Sequence, residues 1–353
     1  MSVDLSGGLD RTRDLMFAER PENPEMRDSV SFWVYDDKGE VALPRVGIEA
    51  ISERWEEHGI YFNLTFADGR AYRVRADGEA WPVADELGSP SVLGAGPLSF
   101  RCVEPFRTWS MTFDGKAVET STSELLQGRT DGPLVDIFVR VDATMAVPPW
   151  TRGGILPEAR AMMEGDTGNL LGGQKHEQLF RATGVVRTPH GEASFTGSGL
   201  RIRRNGVRKF SRRRAHCWQS ALFPSGRGFG YLILDNGEPP HFTEGFIYEG
   251  DGDLIPARVV EAPWLTKSDL TAENATGHDV SCVLDTPRGQ VRIEGESLLC
   301  SYDIARDDSS MFDGRKIKAE NSNLPPLQQG GARYRWDGEE TIGMLERSHL
   351  DAR

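Results

Sequence analysis

The sequence predicts an all-β protein built from antiparallel sandwiches or barrels. Three observations carry this. Asp-Gly, Asn-Gly and related turn pairs recur along the chain, and such pairs supply the positive φ of tight hairpins. Short alternating or β-rich runs lie between them. Helical periodicity is scarce, and a length of 353 residues suits about two domains, each able to bury a core.

Residues 1–28 are polar and read as an arm or strap. Turns are expected at "DDKGE" from Asp36, "ADGR" from Ala67, "ADGE" from Ala76 and "FDGK" from Phe113. Strands are expected at "GIYFNLTF", "RAYRVRA" and "VDIFVRVDATM", the last starting at Val135. The best helix candidate is "GGILPEARAMMEG", Gly153 to Gly165. The Gly-rich run after it is the expected junction. The organisation predicted is an arm at 1–28, a β-domain at 29–162, a linker at 163–175, a second β-domain at 176–346 and a tail at 347–353.

In the second half, turns are expected at "PHGE" from Pro189, "RNGV" from Arg204, "PSGRG" from Pro224, "DNGE" from Asp235, "GDGD" from Gly250 and "PRGQ" from Pro287. "GYLIL" and "GQVRIEGESLLCSYDI" read as strands. Arg306 to Gly331 reads as a long surface connection, and "ARYRWDGEETIGMLER" as a last strand.

Forty-one basic against fifty-four acidic residues give a formal charge of −13. That field repels phosphate and disfavours nucleic acid as a bulk partner. Yet "GSGLRIRRNGVRKFSRRR", from Gly197 to Arg214, is strongly basic. The contiguous Arg212, Arg213 and Arg214 cannot all face inward and read as a solvated loop. The four cysteines, Cys102, Cys217, Cys282 and Cys300, have no close mate, which suits a reducing compartment. No apolar run approaches the roughly 20 residues that span a bilayer, and no signal-type core opens the chain. The expected location is the cytoplasm.

In a strand, residues i and i+2 share a face. Arg201 and Arg203 therefore point together, opposite Leu200 and Ile202. Inward guanidiniums need partners: Glu177, Glu192, Glu346, or an anionic ligand. "RAHCWQS" puts His216 and Trp218 on one face and Cys217 on the other. An inward His beside a Trp is the first proton-transfer candidate, and a hydrogen-bonded core histidine is the alternative. Glu177, one strand upstream of the arginines, is the second. Glu104, Glu244 and Glu346 are open to either acid or salt-bridge duty. Trp33, Trp109, Trp218 and Tyr248 would line a ligand cavity or fill a core. The seven histidines show no ligand spacing, and no P-loop, Rossmann glycine run, HExxH or G-x-S-x-G elbow is present. No metal and no cofactor are expected.

Several segments resemble the tandem-lipocalin proteins grouped with hydroxyneurosporene synthase (carotenoid 1,2-hydratase) and AttH-like proteins. They are "SFWVYDDKG" from Ser31, "RVGIEAISERW" from Arg45, "PFRTWSMTFDG" from Pro105, "VPPWTRGG" from Val147, the run from His176 to Arg208, and "YRWDGEETIGMLER" from Tyr334. The family often carries G-x-G-H-R-D-R-S-W-G-x-R. This chain keeps Gly197, Gly199, Arg201, Arg203, Gly206 and Arg208. It has Leu200 for the His, Ile202 for the Asp, Arg204 for the Ser and Asn205 for the Trp. The resemblance implies two lipocalin-like β-domains in tandem. It also implies cofactor-free isomerisation, cyclisation or hydration of a C=C bond in a large isoprenoid, steroid-like or polyketide-like substrate. Ile202 cannot donate a proton, so any acid must come from elsewhere, or the protein is a non-catalytic carrier. The expected partner is a hydrophobic small molecule, with a homodimer as the assembly allowed.

Overall fold

The computed structural model describes residues 3–164, 175–207, 215–235, 241–304 and 326–349. The chain forms two antiparallel β-units. The first contains β1 (Met26–Asp36), β2 (Val41–Ile51), β3 (Glu57–Phe66), β4 (Arg70–Glu79), β5 (Val92–Ala95), β6 (Leu98–Glu104), β7 (Thr108–Ser121), β8 (Leu134–Met145), β9 (Trp150–Thr151), β10 (Lys175–Thr188) and β11 (Gly191–Val207). They pair in the order β4-β3-β2-β1-β11-β10-β8-β7-β6-β5, with β9 added to β10. A further pairing of β4 with β7 closes a circuit through β1, β2, β3, β4, β7, β8, β10 and β11.

The second unit is a closed barrel. Its strands are β12 (Ala215–Leu222), β13 (Gly228–Asp235), β14 (Phe242–Tyr248), β15 (Ile255–Glu261), β16 (Cys282–Thr286), β17 (Gly289–Asp303), β18 (Leu327–Trp336) and β19 (Glu339–His349). Among the described residues lie three short α-helices, α1 (Thr122–Leu126), α2 (Pro157–Met163) and α3 (Lys267–Thr271), and two 3₁₀ turns, Arg11–Asp14 and Ser52–Arg54. None is long and apolar enough to cross a membrane.

Strand pairing changes unit between Val207 and Ala215, later in the chain than the 163–175 junction expected. The long hairpin β10–β11 bonds β8 on one side and β1 on the other, so it belongs to the first unit. Two expected turns are strand interior. Asp77-Gly78 lies in β4 and Asp114-Gly115 in β7, neither glycine at positive φ. Their glycines serve close approach instead: a Cβ on Gly78 would meet Gly96 N at 2.8 Å, and one on Gly115 would meet Pro97 Cβ at 2.6 Å. "RNGV" likewise ends β11. The final "strand" is a hairpin, because Asp337 (φ 50°) and Gly338 (φ 82°) form its turn between β18 and β19. The expected surface connection ends before "LQQGG", which is already β18; its earlier part, and Arg212 to Arg214, lie outside the described residues.

Alternation along each strand creates three apolar layers. Phe32, Phe62, Phe100, Met111, Phe113 and Phe180 fill the first unit. Phe229, Tyr231, Leu284, Ile293, Tyr334 and Leu345 fill the second. Trp33, Tyr35, Leu179, Leu200, Ile202, Trp218, Leu222, Phe246 and Met344 form a layer where the outer faces of the two units meet. At ~25 cal/mol per Å², burial on this scale is the dominant favourable term. The four cysteines are buried and unpaired.

Candidate functional site

Two polar clusters lie on opposite faces of β10 and β11. The inner one is at the end of the first unit. Arg201, fully buried, bonds Asp14 and donates to Gln178 Oε1 at 2.7 Å. Arg203 bonds Asp28 and donates to the Leu15 carbonyl at 2.6 Å. Asp14 sits on a 3₁₀ turn of the N-terminal arm, Arg11–Asp14, and its carboxylate collects four donors. The others are His176 Nε2 at 2.9 Å, the Phe106 amide at 2.7 Å and Trp109 Nε1 at 3.0 Å. Burial opposes its ionisation, but Arg201 and His176 outweigh that and hold it well below the usual carboxylate range. Burial, reinforced by Arg201, pushes His176 down to about 4.

The outer cluster lies between the units. Trp33 and Trp218 meet edge to face, centroids 5.1 Å apart. Trp218 Nε1 donates across the junction to Glu177 Oε2 at 3.1 Å. Lys175, two residues before Glu177 and on the same face, contacts its other oxygen and lies 4.2 Å over the Trp218 ring. Among the described residues, Trp33 Nε1 is buried with no hydrogen-bond partner. A bulge in β2 puts Arg45 at φ 81° and its guanidinium 4.9 Å from the Tyr61 ring; bulges commonly re-aim a side chain in this way.

Beside it, His216 Nε2 donates to Glu346 Oε1 at 3.1 Å, and its Nδ1 accepts from Ser348. Glu346 also accepts from Gln329 Nε2 at 2.6 Å. Burial pushes the Glu346 carboxyl up, but the His216 bond and the Arg45 charge hold it at about 2. An ionised carboxylate only accepts, which fixes the imidazole proton on Nε2. Gln329 in turn accepts from Tyr61 and from Asn63 Nδ2, the latter at 3.3 Å, so the network crosses between units. It ends at Arg75, which donates to Asn63 Oδ1 at 2.9 Å and stacks 3.3 Å over Tyr61. Burial and neighbouring Arg73 lower Arg75 to about 9.

The structure thus brings His216, Glu177, Trp33 and Trp218 to one junction. Arg201, Arg203 and Trp109 do not join them. They point into the first unit, where Asp14 and Asp28 are their partners. Glu177 and Glu346 are on other faces, and Glu192 pairs with Arg187 at 2.7 Å. Tyr248 is buried at the apolar part of the junction, with Phe246 and Trp150. Glu244 is a structural clamp, accepting from Trp150 Nε1 and the amides of Gly153, Ile155 and Leu156 at 2.6–3.0 Å. Glu104 makes an exposed pair with Arg107 at 3.2 Å. Among the described residues no group of three His, Cys, Asp or Glu is placed to hold a metal.

Leu200 and Ile202 face the junction too. Cross-strand register sets Ile202 opposite Glu177 on β10, and Leu200 opposite Trp33 on β1. Sequence reasoning missed Lys175 and Asp14. The i, i+2 spacing of Lys175 and Glu177 could have found the first. Nothing in a polar arm singles out Asp14.

No family model and no curated protein matches the sequence. Solved structures do match. An AttH-like protein of Nitrosomonas europaea superposes with TM-score 0.54 at 10% identity, over 95% of this chain and 98% of that one. CghA solved with Sch210972 gives TM-score 0.52 at 9% identity, over 98% of this chain and 97% of that one. At these identities the likeness is one of fold: this chain has the tandem lipocalin-like architecture of AttH and CghA.

Proposed function

We propose that the protein is a cofactor-independent cytoplasmic enzyme that isomerises, cyclises or hydrates a C=C bond of a large hydrophobic isoprenoid, steroid-like or polyketide-like substrate. The substrate binds at the junction, against Trp33 and Trp218, with Tyr248 at its apolar end. The observation that carries this reading is the position of Glu177. Its carboxylate lies directly across from Ile202, where the resembling family's motif has Asp. Cβ atoms of such pairs are about 4.5–5.5 Å apart. An acid moved one strand sideways still serves the same face. Trp218 donates to one Glu177 oxygen and Lys175 contacts the other, which holds the carboxylate at the junction, as positioned proton transfer requires. His216 has both ring nitrogens engaged, so it acts through Glu346 and Ser348 as a proton relay.

That CghA was solved with Sch210972 supports a reading in which this architecture takes a ligand. The alternative, a carrier of a hydrophobic ligand, is favoured by apolar Leu200 and Ile202. Native mass spectrometry of the purified protein should reveal a bound hydrophobic molecule, and Trp33→Arg should abolish it. Product formation from that molecule separates enzyme from carrier. Retention of the ligand in Trp33→Arg would remove the junction from consideration.

A further inference from the structure

Arg347, near the end of β19, is 1% exposed. It stands opposite Cys217 on β12, and Cys217 belongs to the core of the second unit. Both side chains therefore point into the closed barrel. The guanidinium meets neutral acceptors there. Its Nε donates to Gln328 Oε1 at 2.7 Å, and its Nη1 to the carbonyls of Pro263 and Trp264 at 3.2 and 3.4 Å. Among the described residues, Nη2 is buried with no hydrogen-bond partner. The carboxylate in ion-pair range is Asp269, 3.6 Å from Nη1, too far for a hydrogen bond. Its oxygens are engaged elsewhere: Oδ2 accepts from the amide and hydroxyl of Thr266, and Oδ1 lies 3.4 Å from His278 Nδ1. Arg201 and Arg203, similarly buried, each bond a carboxylate directly. Arg347 does not, although a buried charge calls for a hydrogen-bonded counter-charge.

The acceptors at this mouth come from one segment. Residues 262–281 join β15 to β16 and carry α3. Connections longer than roughly 12–15 residues commonly serve as lids or binding loops. Trp264 of this segment packs on the second core, and Val280 is part of it. Its main-chain carbonyls accept from the inward donors of the barrel. Pro263 and Trp264 accept from Arg347, Ala275 from the Tyr302 hydroxyl at 2.7 Å, and Val280 from Gln219 Nε2 at 3.0 Å. The barrel mouth is thus a set of donors, one of them charged, met by neutral oxygens of the chain's own lid.

We propose that the mouth of the second barrel is a binding site for a carboxylate with a short apolar tail, anchored by Arg347, and that residues 262–281 occupy this site when the ligand is absent. A carboxylate gives the guanidinium a bidentate, charge-assisted pair in place of carbonyls and engages Nη2. The tail takes the place of Trp264 against the core, so the lid holds the space that the ligand enters. Asp269 is the lid's own carboxylate, near the cation but tied to Thr266, and it competes with the ligand. Arg347 and Glu346 are consecutive on β19 and point to opposite faces. This site therefore stands or falls separately from the junction.

The test is calorimetric titration of the full chain with hexanoate, with hexan-1-ol as the neutral counterpart. Hydrogen exchange read by peptide mass spectrometry follows the lid. Hexanoate should bind saturably and at least roughly tenfold more tightly than hexan-1-ol, the size of a charge-assisted contact. Exchange in peptides covering residues 262–281 should rise on binding, while peptides from β1 to β4 stay unchanged. Asp269→Asn keeps an oxygen for Thr266 and removes the competing charge, so it should tighten hexanoate binding by roughly threefold. Arg347→Gln should lose the preference for hexanoate over hexan-1-ol; if that variant does not fold, Asp269→Asn decides. No saturable binding to the native chain or to Asp269→Asn, equal affinity for hexan-1-ol, affinity that survives Arg347→Gln, or lid exchange that does not respond would each overturn the proposal.

Discussion

The inner and outer faces of the β10–β11 hairpin carry polar clusters built from similar residues, with opposite design. Inside, each arginine has its own carboxylate: Arg201 with Asp14, Arg203 with Asp28. The acids are brought by the N-terminal arm and β1, and the cluster joins the arm to the barrel end. Outside, Lys175 contacts Glu177 and lies over the Trp218 ring, and among the described residues the neighbouring Trp33 Nε1 has no hydrogen-bond partner. Charge matched within the chain marks a structural network. A buried donor left unmet at a junction marks a place for something else. The same strands serve both because alternation separates their side chains completely.

The largest effect should come from breaking the inner network. Asp14→Ala leaves Arg201 buried without its carboxylate, which typically costs about 3–5 kcal/mol. Arg203→Ala should be comparable. Urea unfolding measures both. Asp14→Leu with Arg201→Met removes the ion pair but leaves the Phe106 amide and Trp109 Nε1 without their acceptor, so it should recover only part of the loss. A loss below about 1 kcal/mol in Asp14→Ala would erase the contrast between the faces.

Acid should unlock the same face. His176 is held at about 4 when folded against 6.5 in the free chain. Between those values the unfolded chain binds a proton that the folded chain does not. Stability is therefore full above pH 6.5 and declines as pH falls toward 4, by up to about 1.4 kcal/mol per unit. Asp14, also lowered, extends the decline below that. His176→Gln should flatten the slope between pH 6.5 and 4, as read from unfolding midpoints across pH.

At the outer face, Trp218→Phe keeps a ring and removes the hydrogen bond to Glu177. About 1–3 kcal/mol is expected for leaving a buried acceptor short. The smallest effect should be at the surface. Lys116 and Asp136 pair at 2.9 Å but are 59% and 84% exposed, so Lys116→Ala should change stability by no more than about 1 kcal/mol. Equal costs for this pair and for Arg201 with Asp14 would show that burial is not what separates them.

The sequence carried the fold class through its turn pairs, and it carried the inward face of Arg201 and Arg203 through alternation. It misplaced the junction because β10–β11 is ordinary hairpin sequence, and which unit a hairpin joins depends on long-range pairing. Asp77-Gly78 and Asp114-Gly115 misled for a local reason: a glycine needed for close packing looks the same as one needed for a turn. His216, Trp218 and Trp33 were legible as candidates from residue type. The hydrogen bond of Trp218 to Glu177 was not, because it depends on how the two units pack side by side. The acids of the inner network were invisible, since Asp14 is one of several acids in a polar arm.

The central claim is that chemistry belongs to the outer face and that Glu177 moves the proton. The direct measurement is the single-turnover rate of Glu177→Gln on the hydrophobic molecule that the native protein binds, with binding measured on the same sample. Retained binding with a rate lower by roughly 10²-fold or more is the predicted result. An unchanged rate with binding intact would contradict the claim and remove Glu177 from the reaction.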